Sequence, residues 1–457
     1  MKPIIVAVSS FLMLSLAANA QTFTTIYTFP SESVGYSPVG TPYIDANGLL
    51  YGTASHGGMP LPCARLSYGC GLVFSLMPPA EPDGPWNESD LYNFQGGAND
   101  GADPQSGLTL QPNGTFLGTT ALGGPAVNPC HYGCGTLFQL TPPAQPGGTW
   151  TEQVLYDFQP PDRSTYAPLL AGTGTLYGVA DSGGNQNCDL GCGSVYELFP
   201  PAQPGGAWSL VPIHQFPGGQ QGQYPVGPLV SDTNGVLYGV LQLGGVGGHP
   251  DCSDDTTGNC GAVFALTPPV PPGTVWTSRV LHSFHGGTDG AFPSAGLIIG
   301  SDGSLYGTTE YGGNNGCGSS CGTVFSLTPP SPPSTSWTEK VIYVFQGGTD
   351  GYNPISATSN LLIGPSGVLY GFTSLGGGTG CSGLGCGTLF QLTPPAETGG
   401  DWTETVLYAF TGGADGSMPQ TAPALSNGAL YGYAPGGTGT SCSGGGCGVV
   451  YQYVLPQ

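Results

Sequence analysis

Apolar positions in this chain fall into short runs of alternating polarity without a helical period, and the same four runs recur seven times. The clearest mark of each copy is a pair of large side chains followed by glycine. These are Leu50-Tyr51-Gly52, Phe116-Leu117-Gly118, Leu176-Tyr177-Gly178, Leu237-Tyr238-Gly239, Leu305-Tyr306-Gly307, Leu369-Tyr370-Gly371 and Leu430-Tyr431-Gly432. A short apolar run precedes each mark and ends in a tight turn, as Leu297-Ile298-Ile299 does before Asp302-Gly303. Asn-Gly and Asp-Gly pairs favour two-residue hairpins, so the first two strands of each repeat should form one. The second strand stops at a Gly-Gly pair, and a Cys-bearing loop leads to a third strand such as Thr136-Leu137-Phe138-Gln139-Leu140. A proline pair ends that strand, because proline cannot donate to a ladder. Trp then opens a fourth strand, as in Trp150 to Phe158, and a Gly-Gly-x-Asp-Gly loop closes the unit.

Four short antiparallel strands per repeat predict an all-β fold, a seven-bladed β-propeller of four-stranded blades. A β-solenoid has the same kind of period and is the alternative. The chain ends favour the propeller. Thr25 to Phe29 read as an isolated fourth strand, whereas the C-terminus finishes on a third strand, Gly448 to Tyr453. The N-terminal strand should therefore complete the last blade and close the ring, removing an open sheet edge.

The pattern L-Y-G-T-T, G-G, C-G-T-V-F-x-L-T-P-P and V-L-Y-x-F resembles the GloVer (Gloeobacter/Verrucomicrobia-type) tandem repeat of exported bacterial proteins, over nearly all of residues 22–454. The resemblance implies repeat architecture and export; it implies no activity.

Met1-Lys2-Pro3, the apolar stretch Ile4 to Ala17 and the triplet Ala18-Asn19-Ala20 read as a signal peptide over residues 1–20. The expected product is secreted or periplasmic, with residues 21–457 as one domain, monomeric and not inserted in a membrane. Eighty-two Gly, 45 Pro and 7% charged residues would ordinarily indicate disorder, but 23 Tyr, 18 Phe and 6 Trp recur at fixed positions, which argues for a packed fold. A net charge of −22 with five Lys plus Arg leaves no basic surface for phosphates and excludes nucleic acid as a partner.

The fourteen Cys fall two per repeat: Cys63/Cys70, Cys130/Cys134, Cys188/Cys192, Cys252/Cys260, Cys317/Cys321, Cys381/Cys386 and Cys442/Cys447. In an exported chain they are expected to form one local disulfide per blade. Zinc is the alternative, but it requires four convergent ligands, which two Cys per loop do not supply.

A residue shared by every copy is explained first by the fold. Trp86, Trp150, Trp208, Trp276, Trp337 and Trp402 occupy one register and are expected to pack blades. Glu88, Glu152, Glu339 and Glu404 share another, read as edge charge that discourages sheet pairing. His214 and His282 replace the repeat Tyr and read as structural. Asp100, Asp289, Asp350 and Asp415 lie in the Gly-Gly-x-Asp-Gly loop, where an Asx-type turn is the simplest role and calcium the sharper one.

No cofactor is expected, calcium being the one alternative. The Cys loops and Gly-Gly-x-Asp-Gly loops should emerge on the same face, and departures from the repeat collect there. His56, Asp181, Glu310 and Tyr311 precede their Gly-Gly pairs; Arg65, His131 and Arg163 are further departures. The longest Cys loop carries His249, Asp251, Asp254 and Asp255, acids that match no complete calcium loop. Asp181 and Glu310 facing each other across the ring would make an acid and base pair for glycoside chemistry. Gly318-Ser319-Ser320-Cys321-Gly322 matches G-x-S-x-G formally but lies in a Cys loop and not on a strand-to-helix elbow. The expected function is binding of an extracellular glycan or protein through the braced face, with a carbohydrate-active hydrolase or lyase, or a structural envelope component, as alternatives.

Overall fold

The computed structural model describes residues 22–456 apart from 32–34, 59–67, 82–83, 128–129, 146, 161–168, 171–173, 189–190, 204–205, 247–251, 253–259, 272, 314–320, 332, 355–359, 398, 438–441 and 443–445. The expected signal peptide and the candidates Cys63, Arg65, Arg163, His249, Asp251, Asp254, Asp255 and Cys317 lie outside the described residues.

Seven separate antiparallel sheets make up the fold, the first six ordered by sequence from the first strand to the fourth. The fourth blade is typical: Gln223–Ser231, Leu237–Leu243, Ala262–Thr267 and Thr277–Ser283. In the second blade the first strand is split into Gly101–Pro104 and Thr109–Leu110, both paired with Phe116–Gly123. The seventh blade is assembled from both ends of the chain. Ala424–Ser426, Ala429–Ala434 and Val449–Val454 are completed by Thr22–Thr28, with Thr22 opposite Val454 and Thr28 opposite Val449. Separate sheets closed by a shared last blade are a propeller ring, not a solenoid.

The core lies between blades. On each third strand an aromatic ring faces the glycine of the Leu-Tyr-Gly mark; Phe74, Phe138, Phe264, Phe325 and Phe390 are each 0% exposed. The Phe that follows each fourth strand is buried as well. Its N–H donates to the carbonyl of the Gly after the second Cys, from Phe29 to Gly448 O at 3.2 Å through Phe410 to Gly387 O at 3.0 Å. Tryptophan packs blade on blade, as expected. Trp86, Trp150, Trp276, Trp337 and Trp402 meet Tyr431, Tyr51, Tyr177, Tyr238 and Tyr306 of the preceding blade edge-on, with centroids 5.7–6.3 Å apart. Such pairs add roughly 0.5–1.5 kcal/mol each beyond the area they bury.

Every fourth strand also carries a β-bulge just before its Tyr or His, for example between Val263 and Phe264 on the facing strand of the fourth blade. An extra residue in a strand reverses the facing of every residue beyond it. Without the bulge, Glu404, Val406 and Tyr408 would share one face. With it, Glu404 opposes Leu392 while Tyr408 opposes Leu389, on alternate faces of the blade.

Candidate functional site

Disulfides Cys130–Cys134, Cys188–Cys192, Cys252–Cys260, Cys381–Cys386 and Cys442–Cys447 brace the loops between second and third strands. Cys70 and Cys321 are disulfide-bonded too. The second Cys also joins blades. Its carbonyl accepts an N–H from the residue before the first proline of the next blade: Asp103 to Cys70, Tyr224 to Cys192, Phe292 to Cys260, Asn353 to Cys321, Met418 to Cys386 and Ser37 to Cys447, at 2.8–3.2 Å. Each of those donors is a non-glycine residue held at positive φ, between 50° and 61°. That conformation is costly for an L-residue, so the junction is firmly determined by its surroundings. The Gly-Gly loops rest on the same bridges; a Cβ at Gly412 would lie 2.8 Å from both Cys381 Sγ and Cys386 Sγ. Among the described residues, the Cys bridges and the Gly-Gly-x-Asp-Gly loops therefore lie on the same face.

On the ring axis the first strands enclose a cavity of about 240 Å³, lined by Thr41, Leu108, Pro228, Ile298, Asn360 and Leu362 among others. Its described lining contains no ionisable side chain. Asn360 Nδ2 donates to Leu297 O at 2.8 Å, tying the sixth blade to the fifth. Asn360 stands where the second and fifth blades carry Gly107 and Gly296, a departure from the repeat that alignment of the first strands would have found.

His56, Asp181 and the Glu310–Tyr311 pair belong to the first, third and fifth blades. His56 is packed between Tyr36 and Tyr68, with ring centroids at 5.1 and 4.5 Å, and its Nδ1 lies 2.8 Å from Ser55 Oγ. Burial pulls its pKa below the ordinary imidazole value. Burial raises Glu310, against which a hydrogen bond from Tyr311 acts. Tyr311 pairs with Ala291 through the backbone and packs on Phe292 at 5.7 Å. Asp181 is half-buried in the third blade and His131 is exposed in the second. None of these side chains lines the axial cavity.

The four loop aspartates anchor their own turns. Asp100 accepts from Gln95 N at 2.6 Å, Gly101 N at 2.7 Å and the Tyr92 hydroxyl at 2.9 Å. Asp350 accepts from Gln346 N at 2.6 Å and the Tyr343 hydroxyl at 2.7 Å. Asp415 accepts from Thr411 N, Gly413 N and the Tyr408 hydroxyl. At Asp289 the backbone donor is His285 N, at 2.7 Å, and His282 takes the place of the tyrosine.

The glutamates depart from expectation. Each turns into the groove between its own blade and the preceding one, because the bulge sends it to the face opposite the Tyr or His. Glu88, Glu152, Glu339 and Glu404 are all half-buried, and in each Oε1 is buried without a hydrogen-bond partner. Burial drives Glu152 up to about 8, with Asp100 and Asp157 adding to it. Burial and then Asp350 bring Glu404 to about 7. These are protonating groups at blade junctions, not solvated edge charges.

A seven-bladed ring of four-stranded repeats, disulfide-braced on one face, defines a β-propeller. The chain belongs to the Gloeobacter/Verrucomicrobia repeat family, whose model matches residues 63–251 and 252–446. No curated protein matches it in sequence. Among solved structures it is similar to a fungal alcohol oxidase of the AA5 family in complex with copper, at 14% identity and a TM-score of 0.50, covering 96% of this chain and 77% of that one. It is also similar to Penicillium chrysogenum alpha-L-arabinanase complexed with arabinobiose, at 14% identity and a TM-score of 0.41, covering 94% and 98%. A protein of unknown function from Dyadobacter fermentans matches at 12% identity and a TM-score of 0.39, covering 84% and 96%. At these identities the likeness concerns the fold alone.

Proposed function

We propose that this protein is an exported, non-catalytic propeller that binds an extracellular glycan or protein through its disulfide-braced face. The observation that carries this reading is the docking of six of the second Cys residues onto the next blade, which anchors the ends of those loops to the ring. Rigid scaffolds that hold loops in place are where binding residues concentrate. The axial cavity, whose described lining carries no ionisable side chain and none of His56, Asp181 and Glu310, favours binding over chemistry. Export is supported by the disulfides, and among the described residues no helix is long and apolar enough to cross a membrane.

A carbohydrate-active enzyme is the second reading, favoured by the raised carboxyl of Glu310 beside Tyr311, a combination suited to a general acid. The purified chain, applied to a glycan array and incubated with polysaccharides, is expected to retain specific glycans without releasing reducing ends or unsaturated products. Product release that is lost in Glu310→Gln or Asp181→Asn would replace the binding reading with the enzymatic one.

A further inference from the structure

The fourth and fifth blades meet differently from the others. We propose that their junction is a binding site for one divalent transition-metal ion, held by His282, Asp289 and Glu339 with His285 at its rim.

His282 Nε2 lies 3.4 Å from Asp289 Oδ1, and His285 Nδ1 lies 3.2 Å from Asp289 Oδ2. One donor atom each from His282, Asp289 and Glu339 falls within 4.8 Å of the other two. Glu339 Oε1 is buried without a hydrogen-bond partner, and the equally buried His282 Nε2 meets Asp289 Oδ1 only as a long ion pair. A buried carboxylate oxygen left unpartnered beside a long ion pair is costly unless something else satisfies it. A cation between the imidazole and the two carboxylates would do so.

The repeat supplies the control. At the sister junctions the phenols of Tyr92 and Tyr343 donate to Asp100 and Asp350, at 2.9 and 2.7 Å, and a phenol in that role offers a proton, not a lone pair. His282 replaces that donor with a ring nitrogen able to ligate. His214 makes the same replacement in the third blade, but Gln221 and Ser278 stand there in place of Asp289 and Glu339. Among the described residues the imidazole and two-carboxylate set occurs once. Mixed nitrogen and oxygen donors suit zinc, copper, nickel or iron, whereas calcium takes oxygen alone. The second imidazole is placed either to complete the ligand set or to orient Asp289.

The test uses the full mature chain, stripped with chelator and titrated with Co²⁺ by visible absorption and with Zn²⁺ by equilibrium dialysis. The expected result is one ion per chain, with Co²⁺ ligand-field bands. His282→Tyr installs the residue of the sister junctions and should weaken binding at least about 100-fold, since even outer-shell changes cost 10–100-fold. Glu339→Gln, nearly isosteric, should do the same, while Glu404→Gln at the next junction should leave uptake unchanged. Should His282→Tyr fail to fold, Glu339→Gln decides alone. Absence of stoichiometric uptake, or uptake retained in a folded His282→Tyr or Glu339→Gln chain, would overturn the site and leave an ordinary His–Asp ion pair.

Discussion

A methyl group on Gly239 would sit 2.6 Å from the rim of the Phe264 ring and 2.9 Å from Leu229. The same crowding recurs at Gly118 under Phe138, Gly307 under Phe325 and Gly371 under Phe390, at 2.5–2.6 Å. None of these glycines has a positive φ, so room for the ring, not backbone freedom, requires them. Gly114 is the opposite case, with φ +83° in a tight turn and nothing within 4 Å of a Cβ. Gly239→Ala should therefore destabilise the chain by roughly 1–3 kcal/mol through overpacking. Urea unfolding measures this, and a midpoint equal to wild type would mean that the ring has space to give. The mark of two large side chains and a glycine was legible from its seven occurrences, six of them Leu-Tyr-Gly. Its cause was not, because the ring that demands the glycine lies on the neighbouring strand, beyond a loop of variable length.

The strand Thr22–Thr28 shows how much one element can do for a ring. It pairs with Val449–Val454, delivers Phe29 to the core at 1% exposure, and stacks Phe23 on Tyr408 of the sixth blade at 3.6 Å. Phe23 occupies the register that holds Glu in four other blades, which gives the closing junction an aromatic contact where its neighbours have a carboxyl. Removal of residues 21–30 should lower the unfolding temperature by more than the loss of one buried Phe, itself worth about 3–5 kcal/mol. It would also bare the edge of Val449–Val454 to other chains. Unchanged calorimetric unfolding would refute closure by this strand. The pairing was legible from the strand count at the two ends. The bulge in every fourth strand was not, since an unbroken alternation places Glu404 and Tyr408 on one face; only the register with Leu392 and Leu389 reveals the reversal.

Across the whole molecule, 27 acidic residues against five Lys plus Arg make self-repulsion a standing cost that grows as carboxyls ionise. Architecture was readable because seven copies average out local ambiguity, whereas the meeting of His282, Asp289 and Glu339 from two blades was hidden by the loops and strands between them. The junction carboxyls link both themes. Glu152 and Glu404 have folded-state values of about 8 and about 7 against an ordinary 4.5, so between 4.5 and those values the folded chain holds protons that the unfolded chain has released. Stability from this source is fully present below 4.5 and is lost as pH rises through the folded values. Near Glu152 the charges that oppose ionisation are Asp100 and Asp157; near Glu404 it is Asp350. The unfolding temperature, measured with chelator present, should therefore decline across that window. In the Glu152→Gln, Glu404→Gln double variant the decline should flatten, leaving the variant more stable than wild type at alkaline pH and similar to it near pH 4.5. Parallel curves for the two proteins would show that these two carboxyls ionise freely in the folded ring, and that its pH response comes from other groups, Glu88 and Glu339 among them.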